Sequence, residues 1–385
     1  MRCPGYVRGF LCAKIELKIK GGDSMTKEEY MQRAIELSLK GRGYTAPNPM
    51  VGCVVVKEGR IIAEGLHEHY GGFHAERNAL LSCNEDMRGA ELYVTLEPCC
   101  HHGQTPPCTD IIIEKQIGKV YIGAMDSNPL VAGKGVRILR EAGITVETGI
   151  LEERCREVNE VFFHYMEKGL PFVAMKYAMT LDGKIACANG DSKWVTGEES
   201  RAYVQQLRKY YTGIMVGINT VLADDPLLTC RTEPSCNPKR IVCDTHLQLP
   251  LDCQIVRTAR EVFTYVAYCD AEPEKQRALE AAGIKLLCIP DRQGQVDVRL
   301  LLKRLAEEQV DSILLEGGGT LNASMLKQGM VNRVYAFIAP KLVGGAKARS
   351  PVEGEGVDNM AGAFALKQTV YQQFGEDLLV TGIVK

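Results

Sequence analysis

Neither sign of charge dominates this chain: 46 lysines and arginines stand against 48 aspartates and glutamates, for a formal net charge of −2. A global positive field, of the kind a polyanionic partner such as tRNA or DNA would meet, is therefore absent, and a small-molecule substrate is expected. Apolar runs near the roughly 20 residues of a membrane span are also missing, so no membrane partner is expected. Arg2, Arg8, Lys14, Lys18 and Lys20 interrupt the first apolar pieces, leaving no core for a secretion signal. Residues 1–24 read as a disordered extension. The 15 cysteines are scattered and odd in number, which points to reduced thiols in a cytoplasmic protein and away from a disulfide framework. Internal repeats and low-complexity tracts are lacking as well.

What is present is the profile of an ordinary soluble protein, 45% hydrophobic and 24% charged, and 385 residues suffice for two or three domains. The chemistry-bearing stretch runs from His74 to Cys108. It holds His74-Ala-Glu76, then Pro98-Cys99, then Pro106-Pro107-Cys108, and H-x-E followed by P-C-x-x-C is the pattern of zinc nucleobase deaminases. One imidazole and two thiolates suit Zn²⁺ and leave a fourth tetrahedral position open for water, whereas a structural zinc wants four ligands, usually from C-x-x-C pairs that this stretch lacks. A favourable zinc site brings the pKa of water from about 15.7 towards roughly 7. Glu76, two residues beyond His74, can face the open position without binding the ion and carry a proton to the leaving amine. His102 stands three residues after Cys99, where the short pattern has its second cysteine, so Cys100, His101 and His102 are rival ligands. Cys99 and Cys108 are preferred.

The surroundings suit that chemistry. Residues 91–96 read as a buried strand, and Pro98 reads as a helix opener that puts Cys99 near a helix N-terminus. Pro106-Pro107 do the same for Cys108, and His74 opens a helix over 75–83. Both sulfurs would then sit where a helix dipole favours thiolate. Upstream, Thr26 and Glu29 predict a capping box and a helix to Gly41. Strands are expected at 53–56 and 61–63, joined through Glu58-Gly59-Arg60, and at 120–123 and 144–146, with a helix over 133–142. A single helix from Leu151 to Lys168 ends at Gly169, and Leu170-Pro171 makes the domain boundary, giving units of 25–169 and 170–385. Strands alternating with helices mark both as α/β layers.

In the second half, strands are expected at 172–178, 214–216, 240–243, 262–266, 284–288 and 312–315, with helices at 197–211, 274–282, 298–308 and 323–328. Glu316-Gly317-Gly318-Gly319-Thr320 joins a strand to a helix, and glycines there let backbone amides approach a phosphate. Trp194, the one tryptophan, offers a flat face for a nicotinamide or pyrimidine ring, although a lone tryptophan is more often packing. Arg208 and Arg231 suit a substrate phosphate or, equally, surface ion pairs.

From about Met25 onward the chain resembles the bifunctional riboflavin-biosynthesis deaminase/reductase family. The first half carries Asn48-Pro-Met-Val-Gly52, His74-Ala-Glu76, Thr95-Leu-Glu-Pro-Cys99, His102-Gly-Gln-Thr-Pro-Pro-Cys108, Asp126-Ser-Asn-Pro129 and Val131-Ala-Gly-Lys-Gly135. The second carries Thr180-Leu-Asp-Gly-Lys184, Asp191-Ser-Lys-Trp194 and Glu316-Gly-Gly. The resemblance implies a cytidine-deaminase-like α/β/α zinc domain followed by a dihydrofolate-reductase-like α/β domain. It implies one Zn²⁺ per chain on His74, Cys99 and Cys108, the longer gap between the cysteines being the family's own form, with Glu76 as proton shuttle. Asn48 and His67 would line the base pocket. The second domain would use NADPH, met by Ala178, Trp194, Thr220, Asp224 and the loop Gly318, Gly319, Thr320, Leu321, Asn322, Ala323 and Ser324. Ser192, Arg208, Leu228, Arg231 and Glu316 would hold the sugar-phosphate substrate. The implied reactions are hydrolytic deamination of 2,5-diamino-6-(5-phosphoribosylamino)pyrimidin-4(3H)-one and reduction of the resulting ribosyl group to ribityl. A homo-oligomer is expected.

Two positions depart from the family pattern. Gln104 stands where a basic residue is expected, which puts a charge contact to the deaminase substrate in doubt, and Ser127 replaces a proline in a turn. The extension before Met25 has no family counterpart. Two other readings compete. One is a zinc deaminase acting on a tRNA base or a free nucleotide, with an unrelated C-terminal binding domain. The other is a zinc module without turnover.

Overall fold

The computed structural model describes residues 25–232 and 236–385; the extension expected over 1–24 lies outside them. The chain separates into two compact units, one ending at Glu167 and the next starting at Lys168. In the first, α1 (Lys27–Ser38) opens on the expected capping box, with the Glu29 N–H donating to Thr26 Oγ1 at 3.2 Å and the Thr26 N–H to Glu29 Oε2 at 2.7 Å. Then come β1 (Gly52–Lys57), β2 (Arg60–Leu66), α2 (Ala75–Ser82), β3 (Glu91–Leu96), α3 (Cys108–Glu114), β4 (Lys119–Ala124), α4 (Lys134–Glu141), β5 (Thr145–Thr148), α5 (Glu152–Val158) and α6 (Glu160–Lys168).

The sheet runs β2-β1-β3-β4-β5, with β1 antiparallel to both neighbours and the last three strands parallel. Because α1 and α5 pack together while α2, α3 and α4 pack together, the sheet is covered on both sides. Cys53, Val54, Val55 and Val56 are accordingly all buried, as an unbroken apolar run should be. Helix α1 lies so close to β1 that a Cβ on Gly52 would run into the Ala34 carbonyl oxygen.

The single helix expected over 151–168 is instead two. It breaks at Asn159 (φ −108°, ψ 29°), whose buried side chain accepts from the Met50 N–H at 2.8 Å and donates to the Met50 carbonyl at 2.9 Å.

The second unit runs β6 (Phe172–Thr180), α7 (Glu198–Tyr210), β7 (Gly213–Gly217), α8 (Ile218–Asp224), β8 (Lys239–Cys243), α9 (Gln254–Arg257), β9 (Thr264–Tyr268), α10 (Pro273–Ala281), β10 (Lys285–Cys288), α11 (Val298–Glu307), β11 (Ser312–Leu315), α12 (Gly319–Lys327), β12 (Arg333–Ala339), β13 (Leu366–Phe374) and β14 (Asp377–Val384). Its sheet is ordered β10-β9-β8-β7-β11-β6-β12-β14-β13, parallel from β10 to β12 and antiparallel at β14 and β13. Successive residues feed opposite faces, as period-two alternation requires. Met215, Ile241, Tyr265 and Ala267 enter one core, while Ile214, Val216, Val242 and Val266 enter the other.

Several elements differ from expectation. Helix α8 was not among the expected elements; its N-cap is Gly217, which supplies no side-chain bond, so the usual start signal is missing. Helix α12 starts at Gly319 rather than Ala323, and β9 lies two residues later than 262–266. Helix α9 and strands β12, β13 and β14 were not expected at all. Most of β13 is exposed, so it carries no burial alternation to read. Strand β11 lies between β7 and β6, so the chain reverses direction across the sheet there. In such sheets ligands bind in the crevice outside the strands' carboxyl ends.

Candidate active sites

The first site is built on α2, the loop after β3 and the start of α3. His74 is the extended N-cap of α2. Its Nδ1 lies 3.4 Å from Cys99 Sγ and 3.6 Å from Cys108 Sγ, and the three ligand atoms fall within 4.8 Å of one another. This borderline-soft set of one nitrogen and two sulfurs fits zinc. Cys108 begins α3, as expected. Cys99 does not begin a helix: residues 97–107 form an irregular loop, which folds back so that the Cys108 and Thr109 N–H groups donate to the Cys99 carbonyl at 3.1 and 3.2 Å. The Cys108 N–H also lies 3.3 Å from Cys99 Sγ. Hydrogen bonding from Cys108, and then from His74, holds the Cys99 thiol well below its usual range. Both the thiol and the one amide that favour its thiolate from this side belong to Cys108, the first residue of α3.

Glu76, in the first turn of α2, is 3% exposed and lies outside the ligand group. Burial, and next the neighbouring Cys99 thiolate, push its carboxyl up to about 7. The rival ligands do not join the cluster: the Cys100 thiol reaches the Leu130 carbonyl at 3.8 Å, His102 is exposed, and among the described residues neither His101 nor His102 belongs to a ligand group. Arg77, which the sequence reading missed, donates through Nη2 to the carbonyls of Pro106 and Pro107 at 3.4 and 3.3 Å, tying α2 to the segment that presents Cys108.

His67 is buried, and its Nδ1 lies 3.0 Å from the Phe73 carbonyl, which can only accept. Nδ1 therefore carries the proton, and Nε2 is left to accept from Asn48 Nδ2 at 3.2 Å. Burial lowers the pKa of this ring, keeping it neutral. Both His67 nitrogens are engaged, so the ring orients Asn48, which keeps Oδ1 as an acceptor. Gln104 donates to the Tyr70 hydroxyl at 3.3 Å, and Ser127 to Glu167 at 3.0 Å.

The second site lies at the carboxyl ends of β6, β7 and β11. The N-caps of α8 and α12, Gly217 and Gly318, come together there: a Cβ on Gly318 would meet Thr220 Oγ1 at 3.9 Å, and one on Gly217 would meet Leu321 at 3.9 Å. Ala178, Thr220, Leu321, Ala323 and Ser324 are half-buried, Asp224 and Thr320 exposed, and Gly319 buried. Asn322 turns inward and donates to the Pro351 carbonyl at 2.9 Å, so its side chain serves the turn itself.

Glu316, just past β11, accepts from Arg208 Nε at 2.8 Å and Nη2 at 3.1 Å. Lys176 Nζ lies 3.7 Å away on the same carboxylate. Burial opposes the charge of Glu316, yet Arg208 and then Lys176 hold its carboxyl down at about 2. Burial lowers the pKa of Lys176 in turn, with Glu316 opposing. Lys176 was not among the sequence candidates; the signal was a lone cation inside an apolar strand. Ser192 is half-buried and Trp194 is 61% exposed, with the Arg201 guanidinium 4.7 Å from its ring centroid. Leu228 is buried, and the exposed Arg231 donates its N–H to Gln205 at 2.9 Å.

The family model for the cytidine and deoxycytidylate deaminase zinc-binding region matches residues 24–124, and that for the RibD C-terminal domain matches 171–380. The riboflavin biosynthesis protein RibD of Actinobacillus pleuropneumoniae is 53% identical over 94% of this chain and 96% of its own length. The solved structure of Acinetobacter baumannii RibD (form 1) is 37% identical, with a TM-score of 0.85 over 93% of this chain and 99% of that one. A Thermotoga maritima structure described as a diaminohydroxyphosphoribosylaminopyrimidine deaminase/5-amino-6-(5-phosphoribosylamino)uracil reductase is 39% identical, with a TM-score of 0.82 and the same coverage. The two-domain architecture, cytidine-deaminase-like and then dihydrofolate-reductase-like, is that of these structures. With both halves matched along nearly its whole length, the chain belongs to the RibD family of riboflavin-biosynthesis proteins.

Proposed function

We propose that this chain deaminates 2,5-diamino-6-(5-phosphoribosylamino)pyrimidin-4(3H)-one and then reduces the ribosyl group of 5-amino-6-(5-phosphoribosylamino)uracil to ribityl. The observation that carries this reading is a converged His74, Cys99 and Cys108 cluster with buried Glu76 left outside it, in a chain matched to RibD proteins across both units. One Zn²⁺ on those three side chains would acidify water at neutral pH. Glu76 takes a proton from the attacking water and gives it to the leaving amine, while Asn48, oriented by His67, holds the base.

In the second unit NADPH would supply the hydride. Gly217, Thr220, Asp224 and residues 318–324 would hold it, the helix start at Gly318 suiting its phosphates, together with Ala178 and Trp194. Ser192, Leu228, Arg231 and Arg208 with Glu316 hold the sugar phosphate. Lys176, a half-buried ammonium 3.7 Å from Glu316, gives the proton that the opening sugar oxygen needs. Lys176→Met should therefore cut the kcat of reduction about a hundredfold, the low end for a lost general acid, and leave deamination unchanged. Steady-state kinetics on each substrate check it.

A tRNA-directed deaminase is not favoured, because the RibD C-terminal match accounts for the second unit. We place the enzyme in the cytoplasm, where its described cysteines, all free thiols, stay reduced. We read it as a homo-oligomer, in keeping with an edge strand β13 that exposes Val370 and Tyr371, and light scattering tests that.

The test of the main reading is to incubate the purified protein with the diaminopyrimidine nucleotide and follow products by mass. A gain of about one unit is expected without cofactor, as oxygen replaces the amine. A further gain of about two is expected with NADPH, as a hydride and a proton add. Stripping the metal with a chelator should stop the first step and spare the second on supplied uracil substrate. No mass change with either cofactor condition overturns the reading.

A further inference from the structure

We propose that Asn159, at the break between α5 and α6, is a positioning residue for the deaminase site: it holds Met50 by both backbone groups and so sets Asn48 and His67 against the base. The inference rests on the deaminase reading given above.

Met50 is buried and lies before the β1 ladders, which begin at Gly52. Asn159 Oδ1 accepts from its N–H at 2.8 Å, and Nδ2 donates to its carbonyl at 2.9 Å. This is the pairing a neighbouring strand would give, supplied by one side chain 109 residues away. Asparagine is the shortest side chain with a donor and an acceptor on one carbon. Aspartate has no proton for the Met50 carbonyl, leucine has neither group, and glutamine is one methylene too long for the same position. Helix continuity is lost at this residue, while Val158, Phe162 and Phe163 around it stay buried in the core.

The segment so held carries the candidate base pocket. Asn48 is two residues before Met50, and its Nδ2 meets His67 Nε2 at 3.2 Å. The next residue, Val51, accepts the His67 N–H at 2.9 Å through its carbonyl. A shift of Met50 therefore moves Asn48 and His67 together. The ligands Cys99 and Cys108 sit on the 97–107 loop and α3, away from this segment, while His67 reaches the Phe73 carbonyl beside His74 at 3.0 Å, so zinc content is read together with KM. A merely structural asparagine would lower stability without singling out substrate binding.

The test is the kinetics of Asn159→Asp in the full-length zinc-loaded protein. The expected result is a KM for the diaminopyrimidine nucleotide raised about tenfold or more with kcat nearly unchanged, the pattern of lost uniform binding. One equivalent of zinc and normal reduction of supplied uracil substrate should remain. Because Asn159 acts through Asn48, adding Asn159→Asp to Asn48→Ala should raise KM no further than Asn48→Ala alone. A wild-type KM accompanied only by a lower melting temperature overturns the inference, as do KM effects that multiply in the double variant. Should Asn159→Asp fail to retain zinc, Asn159→Ser, a neutral side chain too short to span both Met50 groups, is judged by the same criteria. If the unsubstituted protein does not deaminate, it is the enzyme reading that fails, and the two failures stay distinct.

Discussion

Replacing Glu76 by glutamine is expected to leave zinc in place and remove deamination, with kcat falling on the order of 10⁴-fold, the upper range for a lost proton shuttle. Glutamine keeps the shape of a side chain that is 3% exposed, and, being neutral, it avoids the larger cost of burying a charge there. Folding should be undisturbed. The ligand cluster comprises His74, Cys99 and Cys108 and does not include Glu76, so one metal equivalent should persist by elemental analysis. What is lost is a carboxyl brought by burial and the Cys99 thiolate to about 7, close to the balance at which it can both take and return a proton near neutral pH. Reduction of supplied uracil substrate, carried by the other unit, should continue. Zinc lost along with activity would place Glu76 among the ligands. Turnover within tenfold of the unsubstituted protein would remove it from proton transfer.

Those metal-site residues could be read from sequence because most of their support is local. His74 caps the helix that carries Glu76, and Pro107 precedes the Cys108 that opens α3. Cys99 shows where local reading stops: its amide support comes from a residue nine positions later through a folded-back loop, and a proline before it opened no helix. The reductase cleft depends on longer reach. Arg208 and Glu316, 108 residues apart, were each read as substrate contacts, and the fold brings them into a two-point ion pair with Lys176 beside them. No periodicity encodes such a meeting. Asn159 sits inside a helical pattern, and its bonds to Met50, which coincide with the break, are tertiary and leave no local signal. Strand β13 escaped for the opposite reason, since it packs too little of itself to leave a burial signature.

Gly318→Asp separates cofactor binding from folding in the second unit, because the substitution should help one and defeat the other. The backbone at Gly318 (φ −73°, ψ 172°) is ordinary extended chain that any residue adopts, and a Cβ there would meet only Thr220 Oγ1, at 3.9 Å. Aspartate is moreover a better N-cap than glycine by roughly a few tenths of a kcal/mol, so α12 should not be weakened and the melting temperature should hold. The same carboxylate would stand at the positive end of α12, beside the start of α8, where the phosphates of NADPH are expected. Two unit charges about 4 Å apart repel by about 4 kcal/mol at an effective dielectric of about 20, so NADPH should bind roughly 10³-fold more weakly. Gly318→Asn supplies the control: it keeps the cap and the added bulk without the charge, and its loss should stay within about tenfold if repulsion is the cause. Direct titration with NADPH reads both variants, and deamination in each should match the unsubstituted protein. An aspartate variant that binds NADPH normally would take this turn out of the cofactor site. An asparagine variant as weak as the aspartate one would make the obstruction steric, leaving the helix end without an electrostatic role.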